Sequence, residues 1–470
     1  MTDIASEATE RAPRAKLGAN YWKLWTSSVI SNLGDGVTMI ALPWLSSAVT
    51  RNAILIALVG VAGRIPWLVF SLPAGVITDR VDRRKIMFAS QASRGLLMFA
   101  AAATVLYYQS SLPDSAEVEA GAVSANMVLY AMIIIVSLLY GMAEVLYDNS
   151  AQTILPAIVE PEGLERANGN LWGAEMVMNS FIGPPLGSVL IGVAFALPFA
   201  FDAVTFGFAA ILIFLLSGTF VAKDRTAAQS TGKVDWWGEI KEGVTWLWKH
   251  PLLRPMAIVL GLLNGLSQVT FATLVLFAQE VLGIDAFVFA ILGMAGAVGG
   301  VIGSVASPRI SKVLGSGPSL AITLIASITT TAVIGFASHW SLVFAMFAVF
   351  SFTAVLWNVI TVSLRQTIIP DELLGRVNSV YRFFAWGMMP IGLAIGGLIV
   401  AGMEAAGATR ETALRSPWWF AAIAYVALFA YAAPKLTTAK IESARAEGIA
   451  AKAADSDPDR GDGASDDLVS

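Results

Sequence analysis

The chain has 470 residues, 56% of them hydrophobic and 14% charged, with a net charge of −4. A soluble domain carries roughly a quarter charged residues, so there is too little polar surface here to wet a globule, and lipid is the expected solvent. Cysteine is absent, which excludes disulfides and thiolate metal sites, and the two histidines, His250 and His339, lie far apart with no ligand pattern, so no metal site is expected.

In chain order, Met1 to Leu17 is polar and lacks the apolar core of a cleavable signal, so the first span itself is expected to direct insertion. A helix crosses the hydrocarbon layer in about twenty apolar residues, at about 1.5 Å of rise each. Spans are predicted near 22–48, 53–78, 86–108, 126–152, 168–193 and 198–221, then near 254–281, 285–306, 318–338, 340–366, 375–402 and 416–434. The loop from Gln109 to Ala125 holds Asp114, Glu117 and Glu119 but no Lys or Arg. The other side collects Arg80, Arg83, Arg84, Lys85, Lys223, Arg225, Lys233, Lys241, Lys249, Arg309, Lys312 and Lys435. That bias implies a multi-pass protein of the cell (inner) membrane with both termini cytoplasmic. Arg410 and Arg415, in the last outer loop, run against it.

The stretch from Ala222 to His250 holds most of the mid-chain charge, and its Trp236, Trp237, Trp246 and Trp248 suggest an amphipathic helix at the cytoplasmic interface. Beyond Leu436 the composition turns Ala, Asp, Gly and Ser-rich and acidic, and disorder is expected. An internal repeat gives the sharpest fold signal. Gln152-Thr153-Ile154-Leu155-Pro156 with Glu165-Arg166-Ala167-Asn168 recurs as Gln366-Thr367-Ile368-Ile369-Pro370 with Gly375-Arg376-Val377-Asn378, and Gly187 falls opposite Gly397. The matched residues are polar or Pro and lie in loops, where chance similarity of apolar helices does not reach. The fold class is therefore all-α membrane, with twelve transmembrane helices in two pseudo-symmetric six-helix bundles. The expected layout is a tail over 1–20, a bundle over 21–221, a linker with an interfacial helix over 222–253, a second bundle over 254–435 and an acidic tail over 436–470.

Ionisable residues at membrane depth are functional candidates by default. Asp35 lies about 16 Å into the first apolar stretch by helical rise, close to the midplane. There an ionised carboxylate costs about 3 kcal/mol, so a cavity or a cation should face it. Asn32 and Met39 share its helical face. Glu144 and Asp148, four residues apart in the fourth span, and Glu175 in the fifth complete a set of proton-coupling candidates, with Arg64 in the second span as a possible cation for one of them. Trp172 and Asn179 follow the Glu175 stripe. In the second half, Asn264, Gln268 and Asn358 make polar stripes, and Phe271, Trp357 and Trp386 are candidates for an apolar substrate wall. Asp79 closes the second span at the negative end of its own helix dipole and needs a partner, for which Arg80, Arg83 and Arg84 are at hand.

The loop Gly75-Val76-Ile77-Thr78-Asp79-Arg80-Val81-Asp82-Arg83-Arg84-Lys85 resembles the signature loop of the major facilitator superfamily, with Ile77, Thr78 and Asp82 as departures. Gly183-Pro184-Pro185-Leu186-Gly187 is similar to the core of that superfamily's antiporter motif, although Asn170 and Asn179 stand where upstream glycines belong. Ser31 to Gly36, Phe201 to Phe206, and Glu242-Gly243 with Trp248 to Arg254 resemble the bacterial subfamily that exports siderophores, macrolides and tetracyclines. The resemblance implies a conformational latch at Gly75, Asp79, Arg80, Arg83 and Arg84, and an antiporter element at Gly183, Pro184 and Gly187. Many relatives carry an Arg in the fourth span; Ser137 stands here, so coupling through that residue does not carry over.

The function expected is a secondary transporter that exports amphipathic small molecules by proton antiport, with no cofactor beyond the proton gradient. No ATP-binding loop is present, and no catalytic cluster supports an enzyme. A nutrient permease of the same fold and a non-transporting membrane sensor are the alternatives. The expected partners are a small-molecule substrate and the bilayer, with no nucleic acid, and the default state is a monomer.

Overall fold

The computed structural model describes residues 17–220 and 236–455, and every regular element among them is helical. In hydrocarbon an unpaired backbone N–H or C=O costs several kcal/mol, and helices satisfy these groups internally. Polar loop residues start them. Asn52 Oδ1 accepts from the Ile54 N–H at 2.9 Å and opens α2 (Ala53–Val69); Asp82 Oδ1 accepts from the Arg84 N–H at 2.9 Å and opens α4 (Arg83–Tyr107). Asn126 does the same for α6 (Met127–Ile158), as does Asp285 for α12 (Ala286–Leu314).

The first half begins with α1 (Gly18–Val49) and continues through α2, then α3 (Ser71–Arg80), which follows a break at Phe70 between Pro66 and Pro73. After α4 come the short α5 (Ser115–Glu119), α6 and α7 (Leu164–Glu175). A π-turn over Met176–Ile182 leads from α7 into α8 (Gly183–Val193), and α9 (Leu197–Phe214) closes the half. The π-turn has a cause in sequence: Pro184 and Pro185 have no N–H, so the preceding ladder cannot close with regular spacing. The second half holds α10 (Trp236–Lys249), α11 (Leu253–Phe271), α12, α13 (Ser316–Phe336), α14 (Trp340–Ile368), α15 (Asp371–Ala405), α16 (Arg410–Ala432) and α17 (Thr438–Asp455). Nine helices among the described residues are long and apolar enough to cross a membrane, and Lys241–Lys249 with Leu253–Phe271, bent by 104°, makes ten if read as one. The polar α1 and the broken α2 account for the remainder, so the expectation of twelve is compatible.

Compactness divides the chain differently from its sequence halves. Unit 1 comprises residues 1–41, 70–106 and 142–227; unit 2 comprises 42–69, 107–141 and 228–470, so that α1 and α6 are each shared lengthwise. The core of unit 1 gathers Tyr21, Leu24, Met87, Tyr147, Ile154, Ala167 and Ile213. Unit 2 is built around Met256, Leu324, Trp357, Leu364, Tyr381 and Tyr425. There α2 packs on α15, with Trp67 and Trp386 ring centroids 4.6 Å apart and Gly397 against Ala57. Small residues bring helices together elsewhere in the unit: a Cβ on Gly303 of α12 would lie 2.9 Å from the Phe352 carbonyl of α14.

Two expectations change. The region beyond Leu436 forms α17, whose Ile441 is buried in the unit 2 core, whose Gly448 rests on the Thr367–Ile368 backbone, and whose Lys452 Nζ donates to the Gln366 carbonyl at 2.9 Å. Its alanines, read from composition as disorder, are helix formers with a docked face; residues 456–470 lie outside the described set. The linker helix α10 is also more than interfacial, since Leu247 is buried in the same core and Arg376 Nη1 donates to Glu242 Oε2 at 2.6 Å.

Both histidines turn out to be caps. His250 Nδ1 accepts from the Leu252 and Leu253 N–H groups at 3.2 Å each, which opens α11, and His339 Nδ1 accepts from the Ser341 N–H at 3.3 Å. Burial, offset in part by Glu447, holds the His250 pKa below its usual value. A base with a depressed folded pKa contributes stability above its unfolded pKa and loses it as pH falls through the folded value. Acidifying from pH 7 to pH 5 is therefore expected to lower the thermal midpoint in detergent. His250→Asn keeps a cap acceptor, costs less than about 1 kcal/mol and flattens that slope. An unchanged slope in His250→Asn removes the assignment.

Candidate functional site

Six ionisable side chains of the first half lie together within unit 1: Asp35, Arg94, Glu144, Asp148, Glu175 and Asp202. Asp35 of α1 forms a salt bridge with Arg94 Nη2 of α4, and the guanidinium lies over the Phe206 ring of α9 at 4.2 Å. Asp202 of α9 is fully buried; its Oδ2 accepts from Thr38 Oγ1 at 2.6 Å and its Oδ1 from Thr205 Oγ1 at 3.1 Å. Asp202 also feels the charges of Asp35 and Arg94. Asp148 is within electrostatic reach of Glu144, Arg94, Glu175 and Asp35, which makes one charge network of all four sequence-predicted acids.

The sequence around Asp35 explains how three helices meet there. A Cβ on Gly34 would collide with the Asp202 carboxylate and the Thr205 hydroxyl, so only glycine admits α9 at this level. A Cβ on Gly36 would lie 2.8 Å from the Asn179 carbonyl and 2.9 Å from Gly183 Cα. Gly183 meets Gly36 in return, at 2.6 Å to its Cα, and a Cβ on Gly187 would lie 2.6 Å from the Val37 carbonyl. The Gly-Pro-x-x-Gly element thus seats α8 on α1 beside Asp35, with Pro184 opening the helix just after the π-turn. In unit 2 the matching contacts are made by Gly392 on Gly265 and Gly396 on Val269, one residue from the Gly397 that the repeat suggests. Gly397 instead faces α2.

The other predicted residues are placed as follows. Asn32 donates back to the Ser28 carbonyl at 2.8 Å, Met39 and Trp172 are exposed, and Asn179 is half-buried. Asn264 donates to the Ala385 carbonyl at 2.9 Å, Gln268 packs beside Gly392, Phe271 stacks on Phe347 at 5.6 Å, and Asn358 is exposed. Trp357 differs from the expectation of a cavity wall: it is 2% exposed and belongs to the unit 2 core, where an indole fills more volume than any other side chain. Arg64 is exposed on α2 and makes no ion pair among the described residues; the cation on Asp35 is Arg94. In the signature loop, Arg83 Nη1 donates to the Thr153 carbonyl at 3.1 Å and Arg84 Nη1 to the Leu216 carbonyl at 2.7 Å, while Arg80 is exposed and Gly75 has open space around it. The Asp79 side chain lies outside the described set.

Sequence reading passed over Arg94 and Asp202 as site residues. Arg94 is the twelfth residue of a span and Asp202 the sixth of another, and membrane depth alone marks both as candidates.

Unit 2 closes a second polar network at the end of α1 and α2 remote from the basic loops. Arg51 bonds to Gln279 and to the Val118 carbonyl, and Gln279 Nε2 donates to Ser47 Oγ at 3.0 Å. Arg410 Nε donates to Glu280 Oε2 at 2.7 Å, its Nη2 to the Arg51 carbonyl at 2.9 Å, and its Nη1 pairs with Glu404. Arg415 pairs with Glu411 and donates to the carbonyls ending α13, Gly335 at 3.0 Å and Ala337 at 2.8 Å. The two arginines that break the charge bias are thus held by structure.

Helices of this number and apolar length, with paired small-residue contacts repeated in each half, define a multi-pass helical membrane protein. The chain belongs to the Major Facilitator Superfamily, whose family model matches residues 24–393. It is 24% identical over 394 residues to the multidrug efflux pump Tap of Mycolicibacterium fortuitum, covering 81% of this chain and 89% of the relative. The Mycobacterium tuberculosis Tap pump is 23% identical over 390 residues, covering 81% and 87%. A 92-residue stretch is 30% identical to macrolide efflux protein A of Streptococcus pyogenes, covering 18% and 22%. Among solved structures, a mutant form of the nucleoside transporter NupG superposes with a TM-score of 0.64 at 13% identity, covering 88% of this chain and 99% of that one. An inward-facing bacterial homologue of the iron transporter ferroportin gives 0.62 at 17% identity, covering 87% and 98%. At these identities the structural likeness speaks for the fold alone.

Proposed function

We propose that this protein exports amphipathic small molecules, of the drug or macrolide kind, in exchange for protons. The observation that carries the reading is the Asp35–Arg94 pair, with buried Asp202, half-buried Asp148 and Glu144 and the more exposed Glu175 in one charge network, in a chain similar along most of its length to multidrug efflux pumps. Carboxylates crowded together in low dielectric bind and release protons in response to one another, and a single Arg cannot balance them all. A substrate or a proton arriving at Asp35 competes with Arg94 for the same carboxylate, which is the linkage that antiport needs. One proton moving across about 100 mV releases about 2.3 kcal/mol, enough for a roughly fifty-fold gradient of a neutral substrate. The basic loops and both termini are assigned to the cytoplasm, the membrane is the cell (inner) membrane, and the chain acts as a monomer without catalytic chemistry or cofactor.

The test is dye and macrolide efflux from energised cells lacking their own pumps. Wild type is expected to extrude substrate in a manner abolished by an uncoupler, and Asp35→Asn and Glu175→Gln are expected to lower efflux at least tenfold at equal expression. Efflux that persists in the uncoupler, or in both variants, removes proton antiport. Extrusion of none of a broad panel removes the export reading.

A further inference from the structure

Where α16 ends and the chain turns through Pro434 into α17, unit 2 leaves a groove of about 310 Å³ against the first turns of α13. Small residues create it. Gly317, Ala321, Ala432 and Ala433 present no side chain long enough to close the gap between the two helices. A Cβ on Gly317 would lie 2.5 Å from the Thr438 nitrogen, so glycine alone lets the turn come this close. Leu320, Leu324, Phe429 and Leu436 make the rest of the wall apolar. The groove is open along Pro318, Ala433, Thr437 and Thr438, all of them exposed. Both walls belong to helices long and apolar enough to span the bilayer, so the depth of the groove faces acyl chains and its mouth faces headgroups.

The mouth is basic. Lys435 stands beside Leu436, with its Nζ 3.9 Å from the Tyr431 ring centroid and donating to the Tyr431 carbonyl at 3.3 Å. Lys440 Nζ donates to the Pro434 carbonyl at 2.7 Å, which brings a second ammonium to the same turn. On the α12 side Arg309 and Lys312 are exposed, and Lys312 lies three residues before Gly315, whose Cβ would meet Thr438 Cγ2 at 3.7 Å. None of these four cations has a carboxylate partner among the described residues. Glu442, in the first turns of α17, is already engaged: it pairs with Arg445 at 2.9 Å and accepts from Ser316 Oγ at 3.2 Å. Thr437 and Thr438 add hydroxyls at the mouth that donate to nothing among the described residues.

We propose that this groove is a binding site for an anionic phospholipid of the leaflet on the basic-loop side. One acyl chain lies between α13 and α16 on Leu320, Leu324 and Phe429, and the phosphate is taken by Lys435, Lys440 and the two threonine hydroxyls. The charge decides the headgroup. A zwitterionic lipid brings its own cation to a mouth that already holds unneutralised cations, whereas an anionic one supplies the charge that is missing, an advantage of about fivefold per nearby Lys or Arg. The apolar wall decides between lipid and free phosphate, since an inorganic anion would leave that wall uncovered. Bound in this way, the lipid joins α13, α16 and the turn into α17.

The test uses purified full-length protein in phosphatidylcholine nanodiscs doped with a phospholipid that carries a photoreactive diazirine midway along one acyl chain. A phosphatidylglycerol probe is expected to label the segments Gly317–Leu324 and Phe429–Leu436 at least fivefold more than a phosphatidylcholine probe. Lys435→Gln with Lys440→Gln, two exposed-end substitutions that keep a hydrogen-bond donor, is expected to bring the first probe down to the level of the second. Ala433→Phe fills the groove from its open side and is expected to lower labelling of these segments at least threefold with either probe, leaving the other helices unchanged. Excess inorganic phosphate is expected to change nothing. The wild-type comparison needs no variant, so it stands even where a substituted protein does not fold. Equal labelling by the two probes in wild type, or a preference that survives the double substitution, means ordinary boundary lipid and overturns the site. Labelling unchanged in a folded Ala433→Phe protein overturns the placement of the acyl chain. Displacement of the phosphatidylglycerol probe by a macrolide, or labelling that appears only after residues 456–470 are removed, gives the groove to a substrate or to that acidic segment, and either result overturns the lipid.

Discussion

Arg94→Ala is expected to abolish proton-driven efflux and to destabilise the protein more than removal of either neighbouring acid. Arg94 is 2% exposed and is the cation seated on Asp35, whose side chain is 20% exposed. Removing one partner of a buried ion pair leaves the other charge without compensation, at about 3–5 kcal/mol. For a unit of this size that corresponds to a fall in thermal midpoint of roughly 6–20 °C. The double variant Asp35→Asn with Arg94→Ala removes both charges and is expected to recover more than half of that loss, yet to remain inactive in proton-driven transport. Recovery without activity separates the structural part of the pair from its coupling part. A double variant as unstable as Arg94→Ala alone would mean that Arg94 acts through Phe206 and the rest of its surroundings and not through Asp35.

The second large effect is expected at the contact that seats α8 on α1. A side chain on Gly183 meets backbone on two sides, with Gly36 Cα at 2.6 Å and the Met178 carbonyl at 2.8 Å, and backbone cannot rotate out of the way. Gly183→Val must push the helices apart. Overpacking costs about 1–3 kcal/mol in a core that can adjust, and α1 here also carries Thr38, whose hydrogen bond to the buried Asp202 resists a shift of that helix. Gly183→Val is expected to express poorly and to transport less than a hundredth of wild type. Gly192→Val on the same helix, where a Cβ has open space, is expected to be tolerated. Folded, active Gly183→Val protein in the membrane fraction would show that α1 and α8 are not held at this distance.

Much of this architecture is legible in the sequence because the membrane simplifies the problem. Apolar runs set the helices, and Asn52, Asp82, Asn126 and Asp285 mark their starts by the same chemistry that caps helices in water. The repeated Gln-Thr-Ile-x-Pro loops and the glycines of α8 and α15 announce two related halves, although structure moves the equivalence from Gly397 to Gly396. What stays hidden depends on contacts between distant segments. Membrane depth marks Arg94 as a candidate, but nothing in the sequence singles out its partner. Its pairing with Asp35 across 59 residues becomes visible only once α1 and α4 are side by side. Asp202 is similar, since its burial depends on a missing side chain at Gly34. Arg64 lies as far into its helix as Arg94 does, the twelfth residue in each case, but it sits on an exposed face. For α17 composition is ambiguous: alanine-rich, charged sequence suits both a disordered tail and a docked helix, and Ile441 and Gly448 tip the balance only through the surface they meet.

The measurement that bears most directly on the account is substrate-driven proton movement in proteoliposomes carrying a pH-sensitive dye in the lumen. With purified wild type, an imposed pH gradient is expected to drive uphill accumulation of a macrolide, and a macrolide gradient is expected to move protons the opposite way. Both signals are expected to vanish in Asp35→Asn and in Arg94→Ala. Macrolide transport of equal rate with the pH gradient collapsed, and with no lumenal pH change, would contradict the assignment of the carboxylate network to proton coupling.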